Sequence, residues 1–419
     1  MRKILPFVLL ALSLTASAEE LPTATPEEVG ISSERLSRMS EFAAEQVAEG
    51  RHAGMVTLLA RHGRIVHFEV TGLYGIDNDK PMEKDTLFRL FSMTKPVTAV
   101  AMMMLYEEGR FQMSDPVSKY VPAMGNLDLY QDGQVIKAGL EITIEQLFTH
   151  TAGLSYGFFA DDPVDKYYQE ANLWQSEDLH EFIERLSKLP LRSEPGTRYY
   201  YSMATDVLGA VIESISGQSL DAFFRERIFE PLGMRDTFFN VPADKLHRLS
   251  SNHIWNAEEN RMDLLPDDVD SRMFRASKLF SGGAGLVSTA MDYMKFCEML
   301  RRGGNFNGVR LLGPKTVQYM TSNHLTDAVR NFGADENPSM HLNKGQSVGL
   351  GFGVVTNPGI NEVISSQGEY SWGGLADTRF FIDPQEDLVA ILMTQLVRSP
   401  WRTANRMRVA TYQALEKIN

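Results

Sequence analysis

The chain has 419 residues, 43% of them hydrophobic, which suffices for a large core without disulfide or metal staples. Its one cysteine, Cys297, excludes an internal disulfide. A net charge of −13 with no dense basic stretch argues against nucleic acid as a partner.

The N-terminus reads as an export signal over residues 1–18. Arg2 and Lys3 precede an apolar run at 4–14, and Ala16-Ser17-Ala18 offers a small-residue cleavage site. The run is shorter than the ~20 residues a bilayer span needs, and no cysteine near the cut provides a lipid anchor. No later stretch is apolar for long enough to cross a membrane. The expectation is an exported protein, periplasmic or secreted, whose mature part, residues 19–419, forms one domain without stable membrane insertion.

Residues 22–30 read as a linker feeding a helix capped by Ser32 or Ser33, with Leu36, Met39, Phe42, Ala43 and Val47 at helical spacing. Two β-rich runs, 55–60 and 65–70, flank Arg61-His62-Gly63-Arg64, a hairpin with glycine in its turn. His62 and His67 are then a turn residue and a strand-face residue, since no metal-ligand spacing joins them. Residues 87–110 predict one helix ending at Gly109 and apolar all round over 97–105, the mark of burial between layers. Met102-Met103-Met104 is core filling.

From 113 to 276 the pattern changes to short helices and long turns, an inserted and mostly helical lobe. Its aromatics Tyr156, Phe158, Phe159, Tyr167, Tyr168 and Trp174 either line a cleft or fill a core. Regular structure resumes after Ser281. A helix over 289–302 holds Cys297 as a small buried hydrophobe, β-like segments follow at 349–356, 363–366, 371–382 and 388–396, and a helix over 403–418 closes the chain. Strands at both ends with helices between predict an α/β (α+β) architecture: one sheet assembled from both termini, flanked by helices, with the lobe beside it.

Ser92-Met93-Thr94-Lys95 is an S-x-x-K tetrad at the start of the buried helix, and a spacing of three puts both side chains on one helix face. A serine hydroxyl is a poor nucleophile until a base takes its proton. Lysine serves as that base only where burial or a neighbouring cation favours its neutral form. The apolar run after Lys95 supplies such a setting, a helix N-terminus favours developing negative charge, and Pro96 is tolerated in a first turn. On its own the tetrad occurs by chance about once in a chain this long. It fits a capped helix with a solvated lysine equally well.

Further segments change that balance. Leu87-Phe88-Arg89-Leu90-Phe91-Ser92-Met93-Thr94-Lys95 resembles the nucleophile segment of the serine β-lactamase and penicillin-binding-protein superfamily. Leu147-Phe148-Thr149-His150-Thr151-Ala152-Gly153-Leu154 is similar to its LLTHTSGL segment. Glu194-Pro195-Gly196-Thr197 followed by Tyr199-Tyr200-Tyr201-Ser202 resembles its PG…F.YSN segment, and Gly282-Gly283-Ala284-Gly285-Leu286-Val287-Ser288-Thr289 its GAGGLVST segment. They stand in the family's order over residues 30–400. The resemblance implies a β-lactamase/transpeptidase-like fold with an antiparallel sheet. It also implies Ser92 as nucleophile, Lys95 as its base and Tyr201 as the third catalytic residue, with no metal or organic cofactor. On residue type alone Tyr199 and Tyr200 compete with Tyr201; the Tyr201-Ser202 pairing and the following Leu208-Gly209 favour Tyr201. His150 is implied to be structural, near the cleft.

Two departures narrow the reading. Met203 stands where the β-lactamases and peptidases have an asparagine, removing an amide able to bond a substrate amide or the lysine. Trp372-Gly373-Gly374 stands where they have a lysine-threonine-glycine box, and tryptophan offers an apolar face and one donor where lysine attracts a carboxylate. Both point away from β-lactams and acidic peptides and toward small or short-acyl esters, and the W-G-G box resembles the family VIII carboxylesterases. In that reading Gly373 and Gly374 let an acyl group lie against the strand, and Trp372, Met203 and Tyr156 contact substrate. The backbone N–H groups of Ser92 and Leu375 form the oxyanion hole. Arg379 binds an acidic group or makes a surface ion pair. The rivals are a D-aminopeptidase, a D-Ala-D-Ala carboxypeptidase or a weak β-lactamase; an acyltransferase using the same serine; and a non-catalytic binding module.

Overall fold

The computed structural model describes residues 21–265, 277–331 and 342–419, so the expected export signal lies outside the described residues. The main sheet takes three strands from the N-terminal part: β1 (Gly54–Arg61), β2 (Arg64–Gly75) and β3 (Asn78–Pro81). Five come from the C-terminal part: β4 (Gln346–Val348), β5 (Gly353–Val355), β6 (Tyr370–Gly373), β7 (Arg379–Asp383) and β8 (Leu388–Met393). Their order is β4-β5-β6-β7-β8-β1-β2-β3, with every neighbouring pair antiparallel. The two ends of the chain meet mid-sheet, where Val56 of β1 lies opposite Met393 of β8.

β1 and β8 are buried at every residue, as strands covered on both faces must be. Alternation sends Met55 and Leu59 to one face with Phe381, Ala390 and Leu392, under α1 (Ser33–Ala48) and the C-terminal helix α5 (Thr403–Tyr412). Ser32 caps α1, its side chain accepting from the Arg35 N–H at 3.2 Å. Val56, Leu58, Ile391 and Met393 point the other way, into the core shared with α2 (Lys95–Glu107) and α4 (Ala290–Arg301). α2 is buried from Lys95 through Leu105 because α3 (Ala204–Ser216), from the middle of the chain, packs on its other side. The all-round apolar pattern of α2 follows from this double cover.

Several elements differ from the sequence expectation. The helix expected over 87–110 begins only at Lys95: Phe88–Arg89 pairs as a short strand with Val287–Ser288, and Phe91–Thr94 forms a 3-10 turn. The pairing partner lies two hundred positions away, beyond what local periodicity registers. Segment 371–382 is a hairpin: the Gly374 N–H bonds the Thr378 carbonyl at 2.8 Å and reverses the chain between β6 and β7. Residues 363–366 form no strand, and the terminal helix stops at Tyr412. Between 113 and 265 the helices are accompanied by two hairpins, Asp128–Gln131 with Gln134–Lys137 and His253–Asn256 with Arg261–Leu264. The last residues of the expected lobe, 266–276, lie outside the described residues.

Candidate active site

Ser92 occupies the turn between the short strand Phe88–Arg89 and α2, and the backbone before it is strained. Phe91 has φ 45°, a left-handed value that residues with a Cβ rarely adopt. Bonds to segment 282–289 and to α4 hold this turn in place. Leu90 N–H donates to the Leu286 carbonyl at 2.8 Å, Leu286 N–H to Thr94 Oγ1 at 3.1 Å, and the Tyr293 hydroxyl to the Met93 carbonyl at 2.9 Å. Two of the four motif segments are thereby stitched together around the serine. Ser92 itself stays half-buried while Met93 and Thr94 are fully buried.

Lys95, the first residue of α2, is 1% exposed. Its Nζ donates to Ser92 Oγ at 3.2 Å, to the Tyr156 hydroxyl at 2.9 Å and to the Gly283 carbonyl at 2.8 Å. An ammonium fills all three contacts as donor. A neutral amine must accept in one of them, and the Gly283 carbonyl cannot donate, so only the two hydroxyl groups qualify. The Tyr201 hydroxyl donates to Ser92 Oγ at 2.7 Å. The rings of Tyr201 and Tyr156 lie 4.7 and 5.2 Å from Nζ, within cation–π distance. Phe158 stacks on Tyr156 at 4.9 Å and is 55% exposed, extending the aromatic surface outward.

Of the three consecutive tyrosines, it is Tyr201 whose hydroxyl reaches Ser92. Tyr200 lies under the Arg192 guanidinium at 4.1 Å, and burial pushes its phenol up to about 12. Tyr199 meets the edge of His150, with burial again raising its phenol. His150 lies beside the Ser92–Lys95–Tyr201 cluster, near the cleft as the sequence implied. It is buried, stacks on Trp372 with planes 9° apart, and packs 4.8 Å from the Tyr201 ring. Burial, reinforced by the charge of Lys95, pushes its imidazole down to about 3. A neutral His150 is thus a spacer that orients Tyr201 and Trp372.

Other expected residues are placed differently. Met203 is 2% exposed in the main core at the N-cap of α3, so its side chain is a core group and not part of an open binding surface. The room that a Cβ would take at Gly374 is filled by the Leu90 carbonyl and Thr378, and at Gly373 by the Arg379 side chain. On that side, their smallness serves the chain's own packing and not an acyl group. Arg379 pairs with Asp377 at 3.2 Å and donates to the Gly374 carbonyl at 2.9 Å, which answers its alternative in favour of the ion pair. Leu375, 56% exposed, lies in the hairpin turn directly after Gly374. Cys297 is buried, and burial pushes its thiol well up, as befits a packing residue.

Sequence reasoning missed Asp206. It is fully buried on α3, accepting on Oδ1 from Ser281 Oγ at 2.5 Å and the Gly283 N–H at 3.1 Å. The available signal was a single carboxylate beside Val207-Leu208-Gly209, where a solvated acid is out of place.

The family model described as Beta-lactamase matches residues 39–414. A Mycobacterium tuberculosis protein is 34% identical over 356 residues, covering 83% of this chain and 86% of its own length. Esterase EstB of Burkholderia gladioli is 31% identical over 376 residues, covering 85% of this chain and 89% of EstB. Among solved structures, EstCE1, described as a hydrolase with promiscuous acyltransferase activity, superposes with a TM-score of 0.77 at 28% identity. That match covers 90% of this chain and 99% of EstCE1.

Proposed function

The chain belongs to the β-lactamase family, and from that premise we propose that it is a serine hydrolase cleaving small or short-acyl carboxylic esters through an acyl–Ser92 intermediate. The observation that carries the reading is the convergence of Lys95 Nζ and the Tyr201 hydroxyl on one oxygen, Ser92 Oγ, at 3.2 and 2.7 Å.

Ser92 Oγ attacks the ester carbonyl while its proton passes to the Lys95–Tyr201 pair. The backbone N–H groups of Ser92 and Leu375 receive the oxyanion; such donors are worth about 3 kcal/mol each in a transition state. The proton returns through Tyr201 to the departing alkoxide, leaving an acyl–serine. A water molecule then loses its proton to the same pair and releases the acid. The first transfer runs over contacts already formed in the resting site, those of Ser92 Oγ with Lys95 Nζ and the Tyr201 hydroxyl.

The substrate class rests on Trp372, which brings an apolar face to the strand where a cation would attract a carboxylate. EstB and EstCE1 lend it support by likeness. Acyl transfer to an alcohol is the second reading, favoured by the exposed Phe158 ring, stacked on half-buried Tyr156, as a seat for an apolar acceptor. A location in the periplasm or outside the cell, after removal of residues 1–18, goes with the proposal.

Quenching the enzyme shortly after mixing with p-nitrophenyl acetate tests it. The expected result is one acetyl group on the peptide carrying Ser92, absent from Ser92→Ala, with turnover falling as the acyl chain lengthens. No adduct, or a preference for long chains, contradicts the proposal.

A further inference from the structure

Lys95 is a buried amine whose direct partners are two hydroxyl groups of the site, Ser92 and Tyr156, and one carbonyl, so among the described residues no carboxylate touches it. A charge formed there in the low-dielectric interior requires compensation from nearby. Asp206 lies one layer behind. Its Oδ1 grips Ser281 and the Gly283 N–H, while its buried Oδ2 has no hydrogen-bond partner among the described residues. Gly283 separates the two groups, and a Cβ there would come within 2.5 Å of Asp206 Oδ2 and 3.1 Å of the Tyr156 hydroxyl. Glycine at 283 thus keeps an unobstructed lane between the carboxylate and the lysine's partners.

We infer that Asp206 is a positioning residue for Lys95: it fixes the Gly283 carbonyl on Nζ, and its carboxylate is the counter-charge for the ammonium formed when Lys95 takes the Ser92 proton. The inference rests on the proposed role of Lys95 as base for Ser92. The groups facing Lys95 are Ser92 on its own turn, Tyr156, Tyr201 with His150 behind it, the Gly283 carbonyl and Asp206. His150 is held neutral and burial raises the Tyr156 phenol, which leaves Asp206 as the carboxylic acid of the set among the described residues. Burial raises the Asp206 carboxyl on balance, and the Lys95 charge and the bonds from Ser281 and Gly283 act against that rise, in favour of the anion.

The sign of the consequence is fixed. An anion near Lys95 favours its protonated form relative to a variant that lacks the anion. In return, the ammonium created during attack is stabilised. Replacing the carboxylate with an amide removes both effects.

The test is the rate at which a fluorophosphonate labels Ser92, followed from acid to alkaline pH in wild type, Asp206→Asn and Ser281→Ala. Labelling forms a Ser92 Oγ–phosphorus bond, expels fluoride and passes the hydroxyl proton to the base, so it reports activation of Ser92 without requiring any ester to be a substrate. In Asp206→Asn the acidic limb moves to lower pH by about one unit or more, and the alkaline plateau falls about tenfold. Ser281→Ala retains the carboxylate but loses one of its two hydrogen bonds, and its limb moves in the same direction by less. A folded Asp206→Asn with the wild-type midpoint overturns the inference. Should that variant fail to fold, a wild-type midpoint in Ser281→Ala overturns it instead. Wild type that takes no label removes the premise about Ser92 itself, and the inference with it. Normal labelling with the predicted shift but no ester turnover upholds Asp206 and refutes the ester proposal alone.

Discussion

Replacing Gly374 with alanine probes how closely the β6–β7 hairpin is built against the nucleophile. Gly374 has no left-handed φ, so the change asks only about space. An added Cβ would sit about 1 Å inside contact distance of the Leu90 carbonyl oxygen and of Thr378 Oγ1. Thr378 can rotate its hydroxyl, but Leu90 is backbone two residues before Ser92, and its N–H is already committed to Leu286. The strain must therefore move the Ser92 turn or the end of β6 by about the same distance. Overpacking of this kind costs about 1–3 kcal/mol of stability, and an ångström of misplacement at a reacting group costs about a hundredfold in rate. Gly373→Ala is the internal comparison. Its Cβ first meets the Arg379 side chain, a partly exposed group that can swing away at the cost of its contacts with Asp377 and the Gly374 carbonyl. Thermal melts and kcat with p-nitrophenyl acetate on both variants measure the difference. Gly374→Ala should lose about a hundredfold in kcat while Gly373→Ala stays within a few-fold of wild type. Equal activities, or greater damage from Gly373→Ala, would refute the reasoning.

Tyr201→Phe removes the hydroxyl at 2.7 Å from Ser92 while leaving the ring against His150 and Lys95; kcat should fall about 10²–10⁴-fold with KM little changed, as for loss of a general acid–base group. A comparable KM rise without a kcat loss would make Tyr201 a binding residue. His150 governs acid stability. Its imidazole is held near 3 in the folded protein against an ordinary value of 6.5, so the unfolded chain takes up a proton between these limits that the native state refuses. The stability this neutral His150 confers is complete above pH 6.5 and is lost as pH falls toward 3. Urea midpoints for wild type and His150→Gln should therefore converge on acidification; a constant gap would contradict the assignment.

The meeting of Ser92, Lys95 and Tyr201 was legible because these residues reside in local motifs. Ser92 and Lys95 share a tetrad, and Tyr201 sits in a segment whose neighbours single it out. The sheet's construction from both termini was readable from the β-rich ends of the chain. What escaped were features imposed from a distance. The strand Phe88–Arg89 exists because Val287–Ser288 lies beside it, and Phe91 takes its left-handed φ inside a turn pinned on both sides by distant segments. The turn at 374–378 carries no proline and only one glycine at its edge, with Asp377 taking the positive φ of 65°, so the hairpin looked like one strand. Asp206 left only a weak local signal, an acid beside Val207-Leu208-Gly209, and the fold alone shows that Ser281 and Gly283 cover it.

The central claim, ester hydrolysis at Ser92, is tested most directly by one comparison: initial rates on p-nitrophenyl acetate and on a chromogenic cephalosporin, for wild type and Ser92→Ala side by side. The account predicts ester turnover well above cephalosporin turnover in wild type, and loss of both in Ser92→Ala. Faster cephalosporin turnover, or ester turnover that survives the loss of Ser92, would contradict it.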